Sequence, residues 1–351
     1  MRVGFDAHML GQHETGNETY AIGLLAGLDS LGFAVDAYTF GARPAGIHRY
    51  HTIRPRQSAV RIPLVTPLVA ARDKLDIFHA TYILPPLLPC VGVVTVHDIT
   101  YALFPEWFSP RVRATLRLLV PLALRQARRV IAISHNTRRD LVEHYGIPSE
   151  KIDVVYLAPR PAFSHRISPE PVDHPYFLYV GNVEPRKNVR TVIQAMALLR
   201  ERGLSVRLVV AGKQGLHFDS TRALVATLGL ADWVEFTGYV PDERLRSLYA
   251  SALALVHPAL YEGFGLTPLE AMVQHTPVIA AATSALPEVL GDAGLLVEAL
   301  NVEEWAAAMQ TLAEEPALRE KYGARGAVYV QRFSWTRCAE QTVDVYRRAL
   351  Q

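Results

Sequence analysis

Along this chain, short apolar runs alternate with longer stretches whose apolar positions recur every three or four residues. In the first half the runs predict strands at residues 2–6, 33–39, 76–80, 91–97, 129–133 and 152–155, with helices near 18–31, 111–127 and 135–145. In the second half they predict strands at 176–181, 206–211, 233–237, 253–257, 277–280 and 294–297. Helices there fall near 188–202, 218–229, 242–250, 267–275 and 302–313. A near-continuous run such as Val91-Gly92-Val93-Val94-Thr95-Val96 predicts a strand covered on both faces. Strands alternating with helices predict an α/β chain with two Rossmann-like, doubly wound parallel sheets, about six strands in each. Ligands of such sheets lie at the carboxyl ends of the strands, so two sheets facing across a cleft would put the site in that cleft.

The break between the units reads from Pro159, Pro161, Pro169, Pro171 and Pro175, all within residues 158–175. Such a stretch cannot be helix interior and reads as an interdomain linker. The expected domains are residues 1–165 and 172–334, with a terminal helix at about 335–351 that crosses back onto the first.

Composition narrows the class. Half of the 351 residues are apolar and a fifth are charged, so each half is large enough to bury a core of its own. No apolar run reaches the roughly 18 residues of a transmembrane helix. The opening Met1-Arg2-Val3-Gly4-Phe5-Asp6 reads as a buried strand rather than a secretory signal. Cys90 and Cys338 have no metal-ligand spacing and form no disulfide framework, which fits a reducing cytoplasm.

The net charge of +2 is unevenly spread, with +5 over residues 1–170 and −3 over 171–351. From Trp107 to Arg139 there is no acidic residue but a series of arginines. That is a local positive surface, too small for a nucleic-acid partner. Leu116, Leu118, Leu119, Leu122 and Leu124 are interleaved with the arginines of 111–129, a pattern that suits either peripheral contact with an anionic membrane or a solvated helix with one packed face.

Four segments carry candidate chemistry. The first runs from Tyr261 through Glu262, Gly263, Phe264, Gly265, Leu266, Thr267, Pro268 and Leu269 to Glu270, between a predicted strand and a predicted helix. Gly263 and Gly265 would let the backbone approach a ligand, and the helix N-terminus favours a phosphate. Glu262 and Glu270 suit hydroxyl groups, because an ionised carboxylate accepts two hydrogen bonds from a diol. The second, Val180-Gly181-Asn182-Val183-Glu184-Pro185-Arg186-Lys187-Asn188, ends the strand that opens the second domain. Lys187 would reach a phosphate as a point charge, Arg186 bidentately, and Asn188 would cap the next helix. A plain charged surface turn is the alternative. The third places His97 at the carboxyl end of a first-domain strand. The fourth, Thr15-Gly16-Asn17-Glu18-Thr19-Tyr20, is a loop after the first strand with one glycine, too few for a dinucleotide fingerprint. No Asp-x-Asp occurs, so the usual sign of a metal-bridged diphosphate is missing, as are metalloprotease, serine-hydrolase and P-loop strings.

The Glu-x7-Glu spacing of Glu262 and Glu270, the "VGNVEPRKN" turn and the "VTVHDIT" strand end together resemble glycosyltransferase family 4. Nearly the whole chain fits, with most likeness to the bacterial branch that includes O-antigen mannosyltransferases. The resemblance implies the GT-B fold and retention of the donor's anomeric configuration. It implies that Glu270 binds the ribose hydroxyls and Glu262 those of the donor sugar. Lys187, the backbone of Gly263, Phe264, Gly265 and Leu266, and Arg186 would hold the diphosphate. His97 would contact the donor sugar near its reacting carbon, by its ring or its carbonyl, and Gly16 would lie near phosphates and acceptor. Many relatives carry Arg where this chain has Asn182, and more glycines where it has Thr15-Gly16-Asn17-Glu18. The expected reaction is metal-independent hexosyl transfer, without a cofactor, from a nucleoside diphosphate sugar, GDP-mannose first. The acceptor would be a glycan or a lipid-linked sugar. A sugar-nucleotide epimerase or a phosphorylase on the same fold, and a two-domain binding protein, are the alternative readings.

Overall fold

The computed structural model describes residues 1–11, 15–41, 49–215 and 218–351. The chain divides into two compact units, one of residues 1–158 and 333–351, the other of residues 159–332.

The first unit holds a seven-stranded sheet of β1 (Val3–Asp6), β2 (Val35–Thr39), β3 (Tyr50–Thr52), β4 (Ile77–Thr81), β5 (Val91–Val96), β6 (Arg129–Ala132) and β7 (Ile152–Val154). Their spatial order is β3-β2-β1-β4-β5-β6-β7, all parallel, so the order reverses between β1 and β4. β1, β2 and β4 are buried at every residue, as strands covered on both faces must be. β3 is the strand the periodicity missed. It is a three-residue edge with mostly exposed side chains, so it has no apolar pattern to read. The helical stretch at 58–72 also escaped, because Pro63 and Pro67 interrupt its pattern.

The second unit holds six parallel strands: β8 (Tyr176–Val180), β9 (Arg207–Ala211), β10 (Val234–Gly238), β11 (Ala254–His257), β12 (Val278–Ala281) and β13 (Leu295–Val297). Their order is β10-β9-β8-β11-β12-β13, with the reversal between β8 and β11. The helix Pro316–Tyr329 had no sequence-based expectation.

The proline-rich stretch expected as a linker belongs to the second unit from Pro159 onward. Its backbone is tied down by side chains. The Ile167 amide donates to Gln274 Oε1 at 3.0 Å, the His165 carbonyl accepts from Gln274 Nε2 at 2.9 Å, and the Glu170 amide donates to Ser251 Oγ at 2.9 Å. Proline withholds amide donors, so apart from a short 3-10 turn at Pro161–Phe163 the stretch has no helix or strand, and side chains satisfy several of its backbone groups instead.

The last helix, Trp335–Leu350, belongs to the first unit and lies against the helix Thr15–Ser30. Glycine makes the approach possible. A Cβ at Gly23 would fall on the Trp335 ring, and one at Gly27 on the Trp335 carbonyl. Farther along, Tyr346 Oη lies 2.7 Å from His79 Nδ1 of β4, and Arg348 donates to Asp153 Oδ1 at 2.9 Å.

Candidate active site

In an open parallel sheet the loops that leave adjacent strands on either side of an order reversal diverge and open a ligand crevice at the strands' carboxyl ends. In the second unit these are the loops after β8 and β11, and they carry the two strongest sequence motifs. Asn188 joins them. Its Nδ2 donates to the Pro258 carbonyl at 3.1 Å and the Ala299 carbonyl at 2.8 Å, and its Oδ1 accepts from Thr191 Oγ1 at 2.9 Å. Asn188 was expected to cap the following helix, but its side chain makes no cap to a backbone amide; it sits at that position in the left-handed region, φ 53°, and staples the loops instead. The Leu260 amide adds a bond to the Arg186 carbonyl at 2.8 Å.

This frame brings Lys187 and Glu262 together. Lys187 Nζ donates to Glu262 Oε2 at 2.5 Å, and Arg186 Nη1 lies 3.8 Å from the same oxygen. Burial opposes ionisation of Glu262, but Lys187, His257 and Arg186 outweigh it and hold the carboxyl well below its usual range. Burial likewise draws the Lys187 ammonium below its ordinary value, with Glu262 opposing. His257, the last residue of β11, is buried, and its Nε2 has no hydrogen-bond partner although it lies 3.7 Å from Glu262 Oε2. Burial lowers its pKa, which favours the neutral ring.

The backbone of Glu262 is fixed from the turn after β12. Its amide donates to Ser284 Oγ at 2.8 Å, its carbonyl accepts from the Ala285 amide at 3.3 Å, and Thr283 Oγ1 donates to the Ala259 carbonyl at 2.8 Å. Gly263, Phe264 and Gly265 are buried, and Leu266 opens the helix Leu266–Val273. Gly265 has φ 110°, and a Cβ there would meet Leu286 at 3.0 Å, so glycine is required by both conformation and space. The helix thus begins four residues after Glu262, and its first amides are a setting that attracts an anion.

Glu270, expected to bind the ribose hydroxyls, is enclosed by side chains of its own unit. It has no exposed surface. Arg160 donates to both its oxygens, Nε to Oε1 at 2.5 Å and Nη2 to Oε2 at 3.0 Å, and Tyr249 Oη donates to Oε2 at 3.1 Å. Arg160, just inside the proline-rich stretch that had been set aside as linker, supplies the partner that sequence reasoning missed. It also bonds Asp242 Oδ1 at 2.6 Å and lies 4.3 Å from the Phe163 ring centroid.

In the first unit, His97 follows β5 and is 7% exposed. Its ring stands edge-on to Tyr20 at 4.9 Å and stacks with Tyr82 at 5.8 Å, and among the described residues its Nε2 has no partner. Burial lowers its pKa to about 4, so the ring is neutral. Its carbonyl, also expected to face the sugar, accepts from Thr137 Oγ1 at 3.0 Å. Gly16 was expected in a loop and is instead in the first turn of the helix Thr15–Ser30, with open space where a Cβ would stand. Among the described residues nothing there requires glycine. The helix starts earlier than expected because Thr15 to Glu18 contain no breaker other than that glycine.

Known proteins give the same picture for both units. The model of Glycosyltransferase Family 4 matches residues 15–158 and that of Glycosyl transferases group 1 matches residues 162–328. O-antigen chain mannosyltransferase B of Escherichia coli is 34% identical over 318 residues, covering 87% of this chain and 81% of that protein. D-inositol 3-phosphate glycosyltransferase of Kineococcus radiotolerans is 37% identical over 252 residues, covering 64% of this chain and 58% of that protein. Among solved structures, HepE of Anabaena in complex with UDP-glucose shares the two-domain GT-B fold with a TM-score of 0.79, 20% identity and 99% coverage of both chains. With both units matched and a relative of that identity spanning most of its length, the chain belongs to glycosyltransferase family 4.

Proposed function

We propose that the protein transfers a hexosyl group from a nucleoside diphosphate sugar to an acceptor hydroxyl in glycan or polysaccharide biosynthesis, with retention at the anomeric carbon. The observation that carries this reading is the Lys187–Glu262 pair, 2.5 Å apart, with Glu262 four residues before the helix Leu266–Val273, where the second sheet reverses its order. Lys187, Arg186 and the amides of the helix counter the charge that develops on the leaving diphosphate, which lies against the Gly263–Leu266 backbone. No metal and no cofactor takes part. Glu262 orients the donor sugar through its hydroxyls, and the neutral ring of His97 contacts the sugar near the reacting carbon.

Tied to Lys187, Glu262 is a poor nucleophile, which supports same-face attack. The acceptor oxygen bonds to the anomeric carbon, the bond from that carbon to phosphate oxygen breaks, and the acceptor proton passes to the leaving oxygen. Glu270, enclosed by Arg160 and Tyr249, fixes the start of the second unit; contact with ribose would require Arg160 to give way.

GDP-mannose is the first donor to test, because the relative from Escherichia coli is a mannosyltransferase; the other two proteins compared are a D-inositol 3-phosphate glycosyltransferase and a protein solved in complex with UDP-glucose. Among the described residues no helix is long and apolar enough to cross a membrane. We place the protein in the cytoplasm, touching an anionic membrane that presents a lipid-linked acceptor. Arg111, Arg117 and Arg125 are exposed on the helix Pro110–Gln126, as are Leu118 and Leu122, whereas Leu124 is buried. Nucleotide release from a panel of UDP, GDP and ADP sugars, with and without acceptor glycosides and EDTA, tests the reading. Acceptor-dependent release that survives EDTA is expected; release from no donor, or only with added Mg²⁺ or Mn²⁺, would overturn it.

A further inference from the structure

Asp6 is the last residue of β1, the strand at which the first sheet reverses its order. It is 6% exposed, and both its oxygens are committed. Oδ1 accepts from the His8 amide at 3.3 Å and lies 2.9 Å from His8 Nδ1, while Oδ2 accepts from Arg61 Nη1 at 2.8 Å. Burial opposes ionisation of Asp6, but His8 and Arg61 prevail and keep it a carboxylate. Arg61 is 2% exposed, opens a π-helical turn at Arg61–Val65, and has an Nε without a partner among the described residues. Its guanidinium lies 5.4 Å from the Phe40 ring centroid, and that ring lies 5.7 Å from the His8 ring.

A buried Arg–Asp pair adds little stability relative to apolar residues of the same size, and an orphaned nitrogen makes it costlier. π-helical turns are rare and cluster at functional sites. What this arrangement does provide is a fixed imidazole. A carboxylate at Nδ1 demands a proton there, so a neutral His8 must leave Nε2 as a bare acceptor. The His8 side chain is 30% exposed, and among the described residues nothing bonds Nε2. When neutral, the ring therefore offers one oriented lone pair at the carboxyl end of the reversal strand.

We infer that His8 is a binding residue for a sugar hydroxyl of the acceptor, with Asp6 and Arg61 as positioning residues that hold its ring. The inference rests on the transferase reading for the word acceptor, and on its own geometry for the hydroxyl. A hydroxyl donates to Nε2; a phosphate or carboxylate would find no donor there in the neutral ring.

The test uses the whole protein labelled with [15N]histidine, in mildly alkaline buffer, with His8 assigned from the spectrum of His8→Gln. The expected tautomer carries its proton on Nδ1. Titration with methyl glycosides of mannose, glucose, galactose, rhamnose and N-acetylglucosamine should move the Nε2 signal for at least one of them. His8→Ala should weaken that sugar about tenfold while the affinity for GDP, UDP and ADP stays as in the parent. A proton on Nε2, or an unmoved Nε2 signal with every glycoside, overturns the assignment. Failure of the transferase reading looks different, because a protein that releases nucleotide from no donor sugar can still show the His8 response.

Discussion

The Glu262 amide donates to Ser284 Oγ at 2.8 Å, and Ser284 holds that position with φ 49°, in the left-handed region. A side-chain-bearing residue pays about 1–2 kcal/mol for such a conformation, so the hydroxyl is kept there against the backbone's preference. Ser284→Ala, which loses the acceptor and keeps the strain, should lower turnover about tenfold by loosening Glu262, with little change in nucleotide affinity. Ser284→Gly should lose as much activity yet melt no lower than the parent, since glycine relieves the strain. Parent-like turnover in Ser284→Ala, measured beside calorimetry with nucleoside diphosphate, would remove the serine from the positioning of Glu262.

Lys187 and Glu262 neutralise each other, so their removal should act with opposite sign on nucleotide binding. Lys187→Ala should weaken the free nucleoside diphosphate by about 1.5–3 kcal/mol, the range for a charge-assisted bond. Glu262→Gln frees the ammonium for phosphate and should leave that affinity equal or higher, while turnover falls strongly because the donor sugar is misplaced. Calorimetry with product nucleotide and kinetics with donor read the two effects separately. Equal loss of nucleotide affinity in both variants would mean that the loops act only as one structural unit.

Glu270 and Arg160 should fail as a fold pair. Removing Arg160 leaves the buried Glu270 with Tyr249 alone, at a cost of up to about 3–5 kcal/mol, whereas removing Glu270 leaves the part-buried Arg160 its bond to Asp242. Glu270→Ala should still show a lower urea midpoint, and Arg160→Met with Glu270→Leu together should recover part of the loss. A Glu270→Ala protein as stable as the parent, but blind to nucleotide, would restore this carboxylate to the ribose.

His79 and His97 set an acid limit on the first unit. Burial lowers their pKa values to about 3 and about 4, against 6.5 for the free side chain, and His97 adds to the shift at His79. The unfolded chain takes up protons below that free value while the folded chain does not. The stability these groups give is thus complete above pH 6.5 and is lost as pH falls toward the folded values, by about 3 kcal/mol for His97 alone. Urea midpoints at neutral pH and at pH about 5 measure it; identical midpoints would mean that neither ring resists protonation.

The exposed arginine–leucine face of Pro110–Gln126 should bring the protein down with anionic vesicles and not with neutral ones, each basic residue adding about 1 kcal/mol near the surface. Salt should release it. Equal, negligible binding to both vesicle types would leave that face as ordinary solvated surface.

The two sheets were legible because parallel strands buried on both faces, such as Val91–Val96, can hardly be written in any other residues. Lys187 and Glu262 drew notice in the sequence because each lies between a strand end and a helix start, but a charged surface turn reads the same way there, and their pairing with each other appears only in the fold. Arg160 was not. In sequence it is a basic residue among prolines, and only the distance-free step of folding shows that it meets a glutamate 110 positions away. Ser284 and His257 were hidden for want of pattern. A serine that accepts a bond from an amide looks like any turn serine, and a histidine closing a strand looks like any strand end. β3 had too little burial to leave a periodic trace.

The first unit is begun by Met1 but completed only by residues 333–351. Synthesis runs from the amino end, so all of residues 159–332 emerge while the earlier unit still lacks its last helix. Until then the Gly23 and Gly27 surface stays bare, and His79 waits in mid-sheet for the Tyr346 hydroxyl. The unit whose synthesis starts first is thus the second to be completed, and it is completed only by the last residues made.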